Sequence, residues 1–124
     1  MILIDRHIKD LANGIVSYDL QFWYSQFFDR MPSTVKPLVT PFDADLVNPH
    51  SLDVRIGFEG KLRVTSGYTT VNLNDNFKES PYWLQPGDRL LVESLEVFNI
   101  PEFTACSFYL KSSRGREWYG HQLA

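Results

Sequence analysis

Leu52-Asp53-Val54-Arg55-Ile56-Gly57 alternates apolar and charged side chains and then stops on a glycine. A period of two is the mark of a strand, with Leu52, Val54 and Ile56 on one face and Asp53 and Arg55 on the other. The same reading places further strands near 61–65, 69–73, 89–97 and 104–110, with Ser66-Gly67 as a turn between the second and third. Asn74-Asp75-Asn76 and Lys78-Glu79-Ser80-Pro81 form a polar, turn-rich loop. Gln85-Pro86-Gly87-Asp88 fits a type II turn, with proline second and glycine third. The 89–97 run opens on Leu90-Leu91-Val92, continuous apolar residues that predict burial on both faces. Ile100-Pro101 makes a corner before the last strand. No helical period follows residue 32 and no repeat occurs. The pattern predicts an all-β sandwich or barrel with a helical N-terminus.

Toward the N-terminus the pattern changes. Ile4, Ile8 and Leu11 share a helical face over 5–13, with Asp5 as the expected cap and Gly14 as the stop. Ile15-Val16-Ser17-Tyr18 reads as a short strand. From Phe22 to Met31 the chain is crowded with large aromatic and methionine side chains, read as a helical turn or two lying against the domain or another subunit, with core capping favoured over a ligand site. Prolines at 32, 37, 41 and 49 keep the next stretch extended or turning.

The 124 residues suit a single domain, 44% hydrophobic and 15% aromatic. A net charge of −3 argues against binding polymeric nucleic acid. The one cysteine, Cys106, excludes an intrachain disulfide and is expected as a small buried side chain. No apolar run reaches the roughly 18 residues of a membrane span. Met1-Ile2-Leu3-Ile4-Asp5-Arg6 has no basic lead before an apolar core, so the expectation is a cytoplasmic protein without a signal peptide.

The cationic cluster Lys111-Ser112-Ser113-Arg114-Gly115-Arg116 is the strongest chemical signal. Arginine grips phosphate oxygens in a bidentate fork, and serine hydroxyls donate to phosphate or position a water. A solvated basic corner is the other reading of the same residues. A catalytic zinc is not expected, because His7, His50, His121 and Cys106 are widely spaced and no ligand motif occurs. No glycine-rich phosphate loop occurs either. Asp43 and Asp45 flank Ala44 in a proline-rich loop and read as turn chemistry. Asp53, inside an apolar strand, is either half of an Asp53–Arg55 pair or an anchor for metal-bound water or phosphate.

Four segments in order resemble the dCTP deaminase branch of the dUTPase superfamily. Ile4-Asp5-Arg6-His7-Ile8 is similar to the family's opening D-R-x-I, and Val47 to Gly57 to its N-P-x-S-x-D-L-R-L-G. Leu84-Gln85-Pro86-Gly87-Asp88 followed by Glu93-Ser94-Leu95-Glu96 resembles L-x-P-G-x … E-T-L-E, with Ile100-Pro101 as its L-P. Lys111 to Arg116 resembles R-S-S-x-x-R. Residues 20–36 have no counterpart and read as an aromatic insertion, between an N-terminal helix and strand (1–19) and a β core (37–124) of one domain.

The resemblance implies a distorted jelly-roll or β-clip barrel of the dUTPase-like type and a homotrimer with sites between subunits. It implies zinc-independent deamination of dCTP to dUTP, with magnesium held through the substrate triphosphate. Carried over by position, Ser112 orients the attacking water or a phosphate, Lys111, Ser113 and Arg116 hold the triphosphate, and Asp53 and Arg55 support the site. Lys111 stands where the family has arginine, which turns a planar fork into a point charge. The sequence ends at Ala124, where the family continues into a third motif carrying its glutamate proton shuttle and lid. The 124 residues alone are therefore expected to be inactive or nearly so. A dUTP diphosphatase and a non-catalytic nucleotide-binding module are the alternatives. An interaction domain using the aromatic segment is a third.

Overall fold

The computed structural model describes residues 1–64, 67–73 and 84–111. It shows two short helices and small antiparallel sheets, and among the described residues the strands do not close into a barrel.

Helix α1 runs Asp5–Ala12 and buries His7, Ile8, Leu11 and Ala12. The cap differs from expectation: Asp5 is the first helical residue and Ile4 holds the capping position. The Asp5 carboxylate still lies in the first turn, where it faces the positive end of the helix dipole. Its N–H donates to the Pro49 carbonyl at 2.9 Å, which ties the helix start to a distant turn. At the other end Gly14 does act as the stop. It adopts φ 77, and a Cβ there would meet the Val35 carbonyl oxygen at 2.9 Å. Its N–H donates to Leu11 O and its carbonyl accepts from Val35 N–H.

Ile15 makes an isolated bridge to Thr34, and Val16 N–H donates to Ser33 O, so the expected strand shrinks to one bridge. Tyr18 already begins helix α2, Tyr18–Tyr24. Helical turns in the aromatic segment were expected, but most of its rings are not core caps. Leu20 is fully buried and Tyr24 tilts against Phe103 at 5.3 Å, whereas Phe22 and Phe27 are 68% and 69% exposed.

The proline-rich stretch contains β1, Val39–Thr40, and a single 3-10 turn, Ala44–Leu46. The Asp43 side chain caps that turn by accepting from Asp45 N–H, the turn chemistry expected of this pair. Strands β2, Val47–Asn48, and β3, Ser51–Leu52, form a hairpin that pairs Val47 with Leu52 and Asn48 with Ser51.

The expected strand at 52–57 is interrupted. Asp53 N–H turns back to Leu46 O at 2.9 Å and Arg55 N–H goes to the Glu96 carboxylate at 2.9 Å. With those donors engaged, 53–55 leaves the ladder, and β4 starts at Ile56 and continues to Val64. It pairs with β5, Gly67–Asn72, and β6, Leu90–Ser94, in a sheet ordered β5-β4-β6. The type II turn before β6 forms, with Asp88 N–H donating to Gln85 O and Gly87 at φ 89. The Ser66 turn residue and the 74–81 loop lie outside the described residues.

Two further strand expectations are corrected. The 89–97 run breaks after Ser94, because Glu96 turns inward and Ser94 Oγ donates to its carbonyl at 2.6 Å. Pairing resumes as β7, Val97–Phe98, which is antiparallel to β1. Nor is Leu90-Leu91-Val92 covered on both faces, since Leu91 remains 49% and Val92 37% exposed. Residues 104–110 form no strand, and Cys106 is exposed rather than buried.

Ile8, Leu11, Val16, Leu20 and Leu38 form the buried cluster, with Val47, Leu52 and Phe103 against its edge. Complete burial of a leucine such as Leu11 stabilises by about 2–3 kcal/mol. This cluster seats the β2–β3 hairpin, and the hairpin positions Asp53.

Candidate functional site

Asp53 follows the β2–β3 hairpin directly, where the chain leaves regular pairing. Its Oδ1 accepts from Asn48 Nδ2 at 3.0 Å, across the hairpin, and its Oδ2 accepts from Lys111 Nζ at 2.7 Å. The carboxylate is about one-quarter exposed (27%) and the lysine mostly so (63%). The Lys111 ammonium, with help from the Asn48 amide and against the opposing effect of burial, holds the Asp53 carboxyl below its ordinary 3.8. Asp53 is therefore an ionised acceptor at neutral pH.

Arg55, two residues on, does not pair with Asp53, although strand alternation predicted a shared face. Its Nε donates to Glu96 Oε1 at 2.7 Å and its N–H to Oε2, while Nη1 lies 3.8 Å from Asp43 Oδ2. The Arg55 carbonyl accepts from Leu95 N–H at 2.8 Å. Glu96 is 3% exposed. Burial pushes its carboxyl up, and the Arg55 guanidinium and N–H overcome that push, leaving it below the ordinary 4.5. This pair pins the start of β4 to the bend between β6 and β7. It is a buried brace beneath the site.

Of the residues expected to carry the chemistry, the structure brings Asp53 and Lys111 into contact and sends Arg55 to Glu96. Ser112, Ser113 and Arg116 lie outside the described residues. Lys111 has three ammonium hydrogens and spends one on Asp53, so its exposed end still offers donors to an anion. Among the described residues no three His, Cys, Asp or Glu side chains come together. Two residues went unassigned by sequence reasoning. Both stand inside segments that carry the resemblance, Asn48 in Asn48-Pro49-His50-Ser51-Leu52-Asp53 and Glu96 in Glu93-Ser94-Leu95-Glu96, but no contact was assigned to either.

A second cluster joins the two helices. Asp19 accepts from Ser17 Oγ at 2.6 Å, from Arg6 at 2.7 Å and from His7 Nε2 at 2.7 Å. His7 Nδ1 faces the Ile4 N–H at 3.3 Å, so Nδ1 is the acceptor and Nε2 carries the proton donated to Asp19. Ser17, Arg6 and His7, in that order, drive the Asp19 carboxyl far below its ordinary value. The serine does not reach the histidine, so the cluster is a helix clasp and not a nucleophile–base pair. An open apolar hollow of about 490 Å³, lined by Trp23, Tyr24, Phe27, Phe28 and Phe103 among others, includes none of Asp53, Arg55 and Lys111.

No family model matches the chain, and no solved structure matches it. Curated proteins do. A dCTP deaminase (dUMP-forming) of Corynebacterium diphtheriae is 34% identical over 88 residues, covering 63% of this chain and 47% of the relative. The proteins of the same name from Corynebacterium glutamicum and Mycobacterium marinum are 33% and 32% identical over 88 residues, covering 63% of this chain and 47% and 46% of themselves. The chain thus spans about half the length of the curated relatives it matches. Over that part of its length the chain is a distant homologue of the dCTP deaminases.

Proposed function

We propose that the protein binds a deoxynucleoside triphosphate at Lys111 and deaminates dCTP, on a dUTPase-like jelly-roll fold completed as a homotrimer. The contact between Lys111 and Asp53 at 2.7 Å carries this reading. It joins two segments 58 residues apart that resemble the first and second motifs of one family. Lys111, Ser112, Ser113 and Arg116 hold the triphosphate, and Ser112 orients the water. Magnesium, carried on the substrate phosphates, neutralises part of their charge. Asp53 and Arg55 support the site from below, Arg55 through Glu96.

In the deamination, water oxygen bonds to C4 of cytosine, the C4–N4 bond breaks, and the amino group leaves as ammonia. The proton moved in this step needs a carrier within hydrogen-bond reach of the water. Asp53 is engaged by Asn48 and Lys111, and Glu102 is exposed on the rim of the aromatic hollow. Neither serves among the described residues, and Glu117, next to Arg116, lies outside them. The 124 residues alone are expected to bind nucleotide and turn it over negligibly, and robust turnover abolished by Glu117→Gln would make Glu117 the carrier. A version extended through a third-motif segment should be active. The relatives' names specify dUMP as product, which favours a second hydrolysis that releases pyrophosphate.

The test is dCTP with magnesium, following ammonia and separating dUTP from dUMP, on both lengths of chain. Ammonia with dUMP from the longer chain is the expected result. Pyrophosphate release from dUTP without ammonia from dCTP would make it a dUTP diphosphatase. Binding without turnover at either length would make it a non-catalytic module. Triphosphates should bind more tightly than monophosphates, and Arg116→Ala should weaken binding by about 1.5–3 kcal/mol, the range for a lost charged hydrogen bond. Equal calorimetric affinities for dCMP and dCTP would remove the phosphate role.

A further inference from the structure

We propose that Asp53 is an internal competitor of the ligand at Lys111: an incoming phosphate takes the ammonium away from the carboxylate, and Asp53 thereby sets the affinity of the site. The inference rests on the phosphate reading of Lys111 given above and adds a specificity-determining role for Asp53.

The two partners are held very differently. Asp53 is fixed by its own N–H on Leu46 O at 2.9 Å and by the Asn48 amide on Oδ1 at 3.0 Å. Lys111 reaches Oδ2 from an exposed position at the end of a flexible four-carbon stem. When the pair opens, the lysine is the part that moves. Oδ1 keeps Asn48, and the Asp53 side chain is 27% exposed, so water can take the place of the ammonium and the carboxylate is not left orphaned.

Exposed ion pairs of this kind are weak, and a polyphosphate presents several charges to the same ammonium. The ligand therefore wins, but it binds only the fraction of molecules in which Lys111 is released. Apparent affinity falls by that fraction. Removing the competing charge should restore it, by about two- to fivefold for a pair of this strength. A carboxylate that merely positioned Lys111 for the phosphate would give the opposite sign.

The experiment is calorimetry of dCTP and of pyrophosphate in divalent-free buffer, on the parent chain, D53N, K111A and the double variant. The D53N amide oxygen can still accept from Asn48, which preserves the hairpin contact. D53N should bind both ligands about two- to fivefold more tightly, K111A more weakly, and D53N should gain nothing in the K111A background. Unchanged or weaker binding by D53N overturns the proposal. So does a gain that survives in K111A, which would be general charge repulsion and not release of the lysine.

Failure of the underlying phosphate reading looks different: the parent binds no pyrophosphate, or K111A binds as well as the parent. Should D53N not fold, the ion-paired Lys111 ammonium of the parent chain is followed by 15N NMR at low temperature. Saturation with pyrophosphate must shift its resonance, and an unshifted ammonium on a saturated protein overturns the exchange.

Discussion

Arg55 and Glu96 show how much a single residue contributes here when its partner is buried. Glu96 is almost fully enclosed, and both of its oxygens are met by Arg55 atoms. Arg55→Ala removes the guanidinium and leaves a buried carboxylate with backbone donors alone. Destabilisation of about 2–3 kcal/mol is expected by urea titration, discounted from the buried-pair range because Arg55 is itself 37% exposed. The Glu96 carboxyl is depressed in the folded state, so its contribution is complete above its ordinary 4.5 and fades as pH falls below that. Arg55→Ala should therefore flatten the loss of stability below pH 4.5, and an unchanged acid limb would contradict the assignment. Asp19 obeys the same sign, with its contribution complete above 3.8. Asp19→Ala orphans the Nε2–H of His7, which is 3% exposed, at a cost of about 1–3 kcal/mol.

At the scale of elements, the path of α1 into the rest of the chain depends on Gly14. A side chain there faces both a left-handed backbone and the Val35 carbonyl at 2.9 Å. Gly14→Ala should destabilise by about 1–2 kcal/mol from the backbone alone. Because Gly14 and Val35 exchange a hydrogen bond, hydrogen exchange should quicken first at Val35 and at Leu38, whose N–H bonds Leu11 O. Uniform loss of protection across the molecule would count against a local role. The β4 strand shows a related constraint. A Cβ on Gly60 would stand 3.0–3.2 Å from methyls of Leu90, Leu73 and Val92, so this glycine lets one sheet face close over itself.

For the whole molecule, exposed apolar side chains are spread over several elements. Phe22 and Phe27 are open on the helical side, and Ile56, Phe58 and Val97 are 60–65% exposed on strands. Such residues mark an interaction site where they gather into one contiguous patch, while single exposed ones are ordinary. The proposed homotrimer covers such surface, and sedimentation at micromolar concentration should show association. A stable monomer would remove both the trimer and sites shared between subunits. The far-ultraviolet circular dichroism should be strand-rich with a small helical part, given α1 and α2. A spectrum dominated by helix would contradict the fold.

What the sequence determined by itself was whatever depends on neighbouring residues. Helix α1 and its glycine stop, the Gln85–Asp88 turn and the β5 strand all follow from local sterics and short-range periodicity, and all formed. Family relatedness was legible for a similar reason, since ordered motifs need no coordinates to be recognised. Pairing was not. Alternation placed Asp53 and Arg55 on one face and left open whether they bond each other, but their partners lie 58 and 41 residues away. Those contacts exist only once the chain has folded back. The same long-range bonds explain the broken strands, because the Arg55 N–H that would have entered a ladder is taken by Glu96. The burial of Glu96 and the exposure of Cys106 and the aromatic rings were likewise decided by tertiary structure. Burial depends on what packs against a residue, and a window of sequence does not contain that neighbour.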